Sequence, residues 1–348
     1  MIIELPDDYD ISNDKDIVKS NHSQKTGPNS NSSSIVPNVA IISSNQVQPD
    51  STMVVAAIAA ENAELKKDEL HSPPLITEIP SHVSIKTDVG VPTAASDRKK
   101  FSFTYLKDAK FPGFDDKETQ ACLFKWGMQD HCYIKRFTYD QYLKPYDIDM
   151  FLLDFFNANP QIKVQGTMDR WGTLGNVTNV SKEETNHTIT SLDFFDRLQT
   201  NGIVRSNGQI TKCMDEYHDS FLVADNLRKC LLMPEFDLYD LFSPDDRREF
   251  IFHVFQAMCL GGRLCQYEND LEPYLQVTKK LYKDLITVVK DPLTNKLKVA
   301  SFIYKITQVK SSVSQLFPLE HPQNFCYVSI DPMRRHINLL YHASAVYY

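Results

Sequence analysis

The stretch Phe325-Cys326-Tyr327-Val328-Ser329-Ile330-Asp331-Pro332-Met333-Arg334-Arg335-His336-Ile337-Asn338-Leu339-Leu340-Tyr341-His342 decides the fold class. Two runs rich in aromatic and β-branched residues flank Asp331-Pro332-Met333-Arg334. Asp at the first position and Pro at the second are the signature of a type I turn, because Asp bonds to the backbone ahead of it and Pro presets φ. The pattern predicts strands over 325–330 and 336–341, with Ile337, Leu339 and Tyr341 on one face because side chains alternate along a strand. The same device recurs at Asp291-Pro292-Leu293-Thr294-Asn295 and predicts a hairpin of 285–290 with 297–306. Two hairpins that follow several helices point to an α+β fold, a mainly antiparallel sheet whose C-terminal hairpins pack against those helices.

Upstream, the clearest helix signal is residues 244–260. Ser243 is an N-cap, Pro244 suits the first helical position, and Asp245 and Asp246 favour the positive end of the helix dipole. Phe250, Ile251, Val254, Phe255, Met258 and Cys259 form a stripe at helical spacing, and Gly261-Gly262 ends it. Residues 148–157 read as a strongly apolar helix stopping before Asn159-Pro160, since proline disfavours helical backbone in the residue before it. The pattern further predicts strands at 101–106 and 132–137, a helix at 115–128, strands at 162–166 and 186–191 around a Gly/Asn-rich loop, and helical backbone at 192–199.

Composition divides the chain. Residues 1–98 carry seven Lys/Arg against 14 Asp/Glu, no cysteine and a single aromatic residue, Tyr9. A segment so poor in apolar groups cannot offset its conformational entropy, so 1–98 is expected to be a disordered acidic Ser/Asn/Pro-rich extension, with at most a transient helix between Ser51 and Leu70. Residues 99–348 hold both tryptophans and all 20 phenylalanines and are expected to form one α+β domain. Their 30 basic and 31 acidic side chains balance, which argues against nucleic acid as a partner. The longest candidate span, 53–60, falls far short of the ~20 apolar residues a membrane helix needs. The start, Met1 to Asp8, is short, acidic and broken by Pro6, unlike a secretory signal. Seven scattered cysteines without a C-x-x-C pair read as reduced core thiols.

No phosphate loop, dinucleotide-binding glycine pattern, H-E-x-x-H or G-x-S-x-G occurs, and neither a catalytic residue nor a cofactor or metal is assigned. Cys259, Cys265 and His253 could in principle form a metal or thiol site, but zinc prefers ligand pairs two to four residues apart and these cysteines are six apart. They read better as core thiols. A nucleophile activated by His336 or His342 has no sequence signal beyond chance. Trp126 and Trp171 read as core or semi-buried anchors, although an exposed Trp171 in its glycine-flanked loop would be a binding hot spot. The surface site singled out is Arg334-Arg335-His336, at the predicted hairpin turn: a candidate partner contact, because Arg binds carboxylates bidentately.

Several stretches resemble the cilia- and flagella-associated protein 300 family. The strongest runs from Cys259-Leu260-Gly261-Gly262 through Leu264-Cys265-Gln266-Tyr267-Glu268 and Pro273-Tyr274-Leu275 to Tyr282-Lys283-Asp284-Leu285. Asp331-Pro332, Arg334-Arg335-His336 and Leu340-Tyr341-His342 form a second, with weaker matches at Phe194-Phe195, Arg197-Leu198 and Lys212-Cys213. The resemblance spans most of 101–342, leaving 1–98 outside. It implies a non-catalytic ciliary protein needed for motility, similar to factors for cytoplasmic assembly or transport of outer and inner axonemal dynein arms. Implied partners are dynein-arm assembly factors and their chaperones, with intraflagellar transport as a carrier, in the cytoplasm and the motile cilium. The same segments also fit a structural protein stably docked in the axoneme.

Overall fold

The computed structural model describes residues 2–3, 99–166, 169–219, 221–292 and 297–344. At its centre lies a sheet of β1 (Phe103–Tyr105), β2 (Cys132–Tyr139), β3 (Val177–Glu184), β4 (Phe302–Ser311), β5 (Phe325–Asp331) and β6 (His336–His342). The spatial order is β1-β2-β6-β5-β4-β3, and every neighbouring pair is antiparallel. The predicted hairpin supplies the middle of the sheet. Asp331 faces His336 across it, leaving four loop residues, and the Asp331 carboxylate accepts the backbone N–H of Met333 and Arg334 at 2.8 and 2.9 Å. Turn chemistry local to five residues therefore sets the register of the two central strands.

Helices cover both faces: α1 (Lys117–Lys125), α2 (Ile148–Ala158), α3 (Asn226–Leu232), α4 (Pro244–Arg248), α5 (Phe250–Leu260) and α6 (Glu272–Leu285). On one face Phe137 and Tyr139 of β2, Val328 and Ile330 of β5, and Ile337, Leu339 and Tyr341 of β6 pack with Phe151 and Phe155 of α2. Edge-to-face ring pairs lock this layer, Phe137–Phe155 at 5.1 Å and Tyr139–Phe151 at 5.0 Å, the geometry that places a positive ring edge on a negative ring face. On the other face Ile134, Ile303, Phe325, Tyr327 and Leu340 meet α5 and α6. Because β5 has helices on both sides, all seven of its residues are buried, which explains why it reads as a continuous apolar run with little alternation. A fully buried Phe or Leu contributes about 1.5–3 kcal/mol, so these two layers carry most of the fold's stabilisation.

The structure revises several expectations. The predicted helix 244–260 is two helices. Ser243 and Asp246 form the expected capping box on α4, but Glu249 is extended (φ −65°, ψ 133°) and α5 starts afresh at Phe250. The break is held from outside: Asn186 donates its N–H to the Arg248 carbonyl and accepts from the Phe250 N–H. The expected strand 297–306 also divides, at Ala300–Ser301. Leu297–Val299 pairs with Val288–Lys290 in a small separate sheet, and the chain then enters β4. Ile2–Ile3 add an antiparallel strand to Val288–Val289. The rest of the acidic extension and its transient helix lie outside the described residues, as does the tip of the 291–295 turn.

Residues 177–184, expected as loop, are edge strand β3, whereas 186–191 are not a strand. β3 has only Val177 and Val180 as apolar residues because an edge strand buries little, and its pairing with β4 supplies the order that propensity does not. The ribbon of Lys212–His218 with Phe221–Asp225, and α3 after it, carry no clean period. α6, by contrast, shows Tyr274, Val277, Thr278, Leu281, Tyr282 and Leu285 at helical spacing, a stripe that a hairpin reading from residue 285 leaves out.

Candidate basic groove

Along the helix-covered face of β2 and β6, successive cross-strand pairs change character. Leu340 faces Ile134 inside the core; next, Asn338 faces Arg136; then His336 faces Thr138 at the hairpin end. Arg136 is fixed there by donating from Nε to Asn338 Oδ1 at 2.7 Å and by stacking its guanidinium on Phe111, 4.8 Å from the ring centroid. The polar end of the sheet is thus built by continuing an apolar strand pair two residues past the core.

Two further elements close over it. The C-terminal half of α6 brings Lys279, Lys280, Lys283 and Asp284, with Lys283 in the last turn near the negative end of the helix dipole. The loop before α1 lies directly on α6. Asp284 accepts the N–H groups of Gly113 (3.1 Å) and Phe114 (2.7 Å), and a Cβ on Gly113 would stand 2.3 Å from the Lys280 carbonyl oxygen. Only glycine permits that approach. The result is an open groove of about 690 Å³.

Six basic side chains line this groove, Lys110, Arg136, Lys279, Lys280, Lys283 and Arg334, against three carboxylates. Each carboxylate has a structural task. Asp284 anchors the loop. Asp331 forms the hairpin turn and accepts from the Thr287 hydroxyl at 2.8 Å. Asp116 caps α1, accepting from the Thr119 N–H at 3.0 Å and from Lys280 Nζ at 2.7 Å. Burial pushes Asp284 up to about 6, opposed by its two N–H donors and by Arg136. Burial and the adjacent Arg136 lower His336 below the ordinary histidine range, so it is neutral at pH 7.

The three residues singled out at the turn separate. Arg334 and His336 line the groove. Arg335 takes a left-handed φ of 54°, sends its guanidinium to the Asp140 carbonyl at 3.1 Å, and accepts the Tyr139 N–H at its own carbonyl, so it ties the hairpin to the end of β2. Sequence reasoning missed the remaining lysines and Arg136, which lie in separate segments without a local motif.

The other candidates lie apart from this groove. Cys259 is fully buried and its thiol is raised well above its ordinary range; burial pushes Cys265 up to about 12. Such thiols are protonated and weak nucleophiles. Burial, with Lys305 nearby, brings His253 down to about 3. Among the described residues no three His, Cys, Asp or Glu side chains stand together as metal ligands. Trp126 is a core residue, its indole donating to Glu268 at 3.0 Å. Trp171 is a half-buried anchor: it is 41% exposed and rests one side on Tyr133 and Tyr341, its two-residue strand pairing with Val164–Gln165 outside the main sheet.

Comparison with known proteins places these features in context. The family model described as Cilia- and flagella-associated protein 300 matches residues 100–342. The chain is 35% identical over 242 residues to Cilia- and flagella-associated protein 300 of Chlamydomonas reinhardtii, covering 67% of this chain and 94% of the relative. It is 33% identical over 228 residues to the protein of the same name from Paramecium tetraurelia, covering 65% and 87%. No solved structure matches.

Proposed function

Since this chain belongs to the cilia- and flagella-associated protein 300 family, we propose that it is a non-catalytic factor for the cytoplasmic assembly or transport of outer and inner axonemal dynein arms. A cilia- and flagella-associated role follows from the family itself; assembly of the arms is the reading advanced for it. The observation that carries the reading is the open basic groove. It is assembled from four separate segments of the fold and lined by side chains suited to holding an acidic protein surface. The buried, protonated thiols and the neutral buried histidines support binding over catalysis. Among the described residues no helix is long and apolar enough to cross a membrane. Dynein-arm assembly factors and their chaperones are the partners this reading expects, with intraflagellar transport as the carrier from cytoplasm to cilium.

Deletion of the gene in a ciliated cell tests the proposal. Electron microscopy of cross-sections is expected to show doublets intact and dynein arms shortened or missing. Normal arms in a clean deletion would overturn it. Retention of the whole protein in salt- and detergent-extracted axonemes would favour stable docking on the doublets instead.

A further inference from the structure

A second cleft of about 550 Å³ opens on the same helix, and it shares Gln276 and Lys280 with the basic groove. The two adjoin along α6 at Gln276 and Lys280, whose ammonium pairs with Asp116 at 2.7 Å and with Glu118 at 3.1 Å where they meet, and a channel running through both would follow the stripe of Pro273, Gln276, Lys280 and Lys283 at three- and four-residue intervals. Fourteen residues of α-helix give that channel a length of about 20 Å, room for about six residues of extended chain. Its two ends differ in chemistry. Near the start of α6, Cys122, Pro273 and Val277 form an apolar floor rimmed by Glu118, Asp270 and Glu272. Near the end of α6, the basic side chains dominate.

We infer that this channel is the docking site for an extended segment of a partner protein, one bearing an acidic cluster at one end and an apolar, cationic stretch at the other. The inference deepens the partner-binding reading above and rests on it. The bipolar lining selects the occupant. A uniformly anionic polymer such as nucleic acid would meet the acidic rim at one end, whereas a polypeptide of mixed charge meets complementary charge at both. Main-chain and apolar contacts along the floor supply affinity, and the end charges set direction.

The purified full-length protein would be titrated by fluorescence anisotropy against three labelled probes. One is a twelve-residue peptide with Lys and Leu at one end and four Glu at the other. The second is its charge-reversed counterpart, and the third a twelve-nucleotide single-stranded RNA. The first is expected to bind, at least tenfold tighter than the other two, and to weaken as salt is raised. Lys283→Glu with Arg334→Glu is expected to weaken that probe at least tenfold in protein that still unfolds cooperatively. Lys110→Glu, on the opposite wall, is expected to do the same and guards against misfolding of the first variant. Equal binding of all probes, no binding of any, or unchanged affinity in both well-folded variants would overturn the inference. This outcome is separable from failure of the assembly reading. Charge-sensitive peptide binding together with normal arms in the deletion keeps the channel and rejects dynein-arm assembly. Lost arms together with charge-indifferent binding does the reverse.

Discussion

Gly261 follows α5 with φ 61° and ψ −151°, backbone that residues with a Cβ scarcely adopt, and a Cβ there would stand 2.5 Å from Cys265 Sγ. Gly262 beside it would place a Cβ 2.4 Å from the Gly127 carbonyl oxygen, which belongs to the backbone and has little freedom to yield. Gly261→Ala and Gly262→Ala are each expected to cost about 3 kcal/mol or more, read as a lower melting temperature. Gly202 is the control: its φ of 74° is also left-handed but nothing lies within 4 Å of its Cβ position, so Gly202→Ala is expected to cost only about 1–2 kcal/mol. The Gly262 N–H donates to the Trp126 carbonyl at 2.8 Å, which holds the chain after α5 against the Trp126–Gly127 turn.

At the scale of elements, the junction of α4 and α5 shows how a distant residue overrides a local pattern. The stripe from Phe250 to Cys259 is helical and buried as read, yet the helix cannot run through Glu249. That residue's carboxylate, 4% exposed, accepts the N–H of Thr188 at 3.0 Å and of Ile189 at 3.3 Å, and bonds the Thr188 hydroxyl. Glu249→Ala would take the acceptor from the N–H groups of exposed Thr188 and half-buried Ile189 and is expected to destabilise the fold by about 1–3 kcal/mol in denaturant titration. Glu249→Gln keeps one acceptor oxygen and is expected to cost less. α2 contrasts with this junction: its apolar run and Pro160 stop suffice to place it, and it spans Ile148–Ala158.

For the whole molecule, buried titratable groups set the response to acid. His342 Nδ1 lies 2.9 Å from the Gln323 carbonyl oxygen, and since a carbonyl only accepts, Nδ1 carries the proton in the neutral ring and donates it. Burial holds His342 down to about 4, and His253 is held at about 3. Both are depressed below the unfolded value of 6.5. Their contribution is therefore complete above pH 6.5 and is lost as pH falls towards 4, by about 3 kcal/mol for each. Asp284 works in the opposite sense. Its folded value of about 6 exceeds the unfolded 3.8, so the fold regains about 3 kcal/mol as pH falls through that interval. His321 and His336, also lowered by burial, act in the same sense as His342, so the net expectation is a loss of stability, measured as a falling melting temperature between pH 6.5 and 4. His342→Asn, whose amide can still donate to Gln323, is expected to flatten that slope; an unchanged slope would show that another group governs it. How much was legible follows the range of each cause. The β5–β6 hairpin, α2, the Ser243 cap and the glycine stop after α5 were readable from the sequence by itself, because turn chemistry, capping and hydrophobic period act over a few residues. The place of Arg334 and His336 at a turn was readable too, since a hairpin turn announces itself. The split at Glu249, edge strand β3 and the groove were decided only in the tertiary structure. Asn186 reaches the α4–α5 junction across some sixty residues, β3 is ordered by β4, and Lys110, Arg136, Lys283 and Arg334 meet only when four segments converge on α6 and the end of the sheet. Charge acts through space, and no spacing along the chain records which charges the fold will bring together.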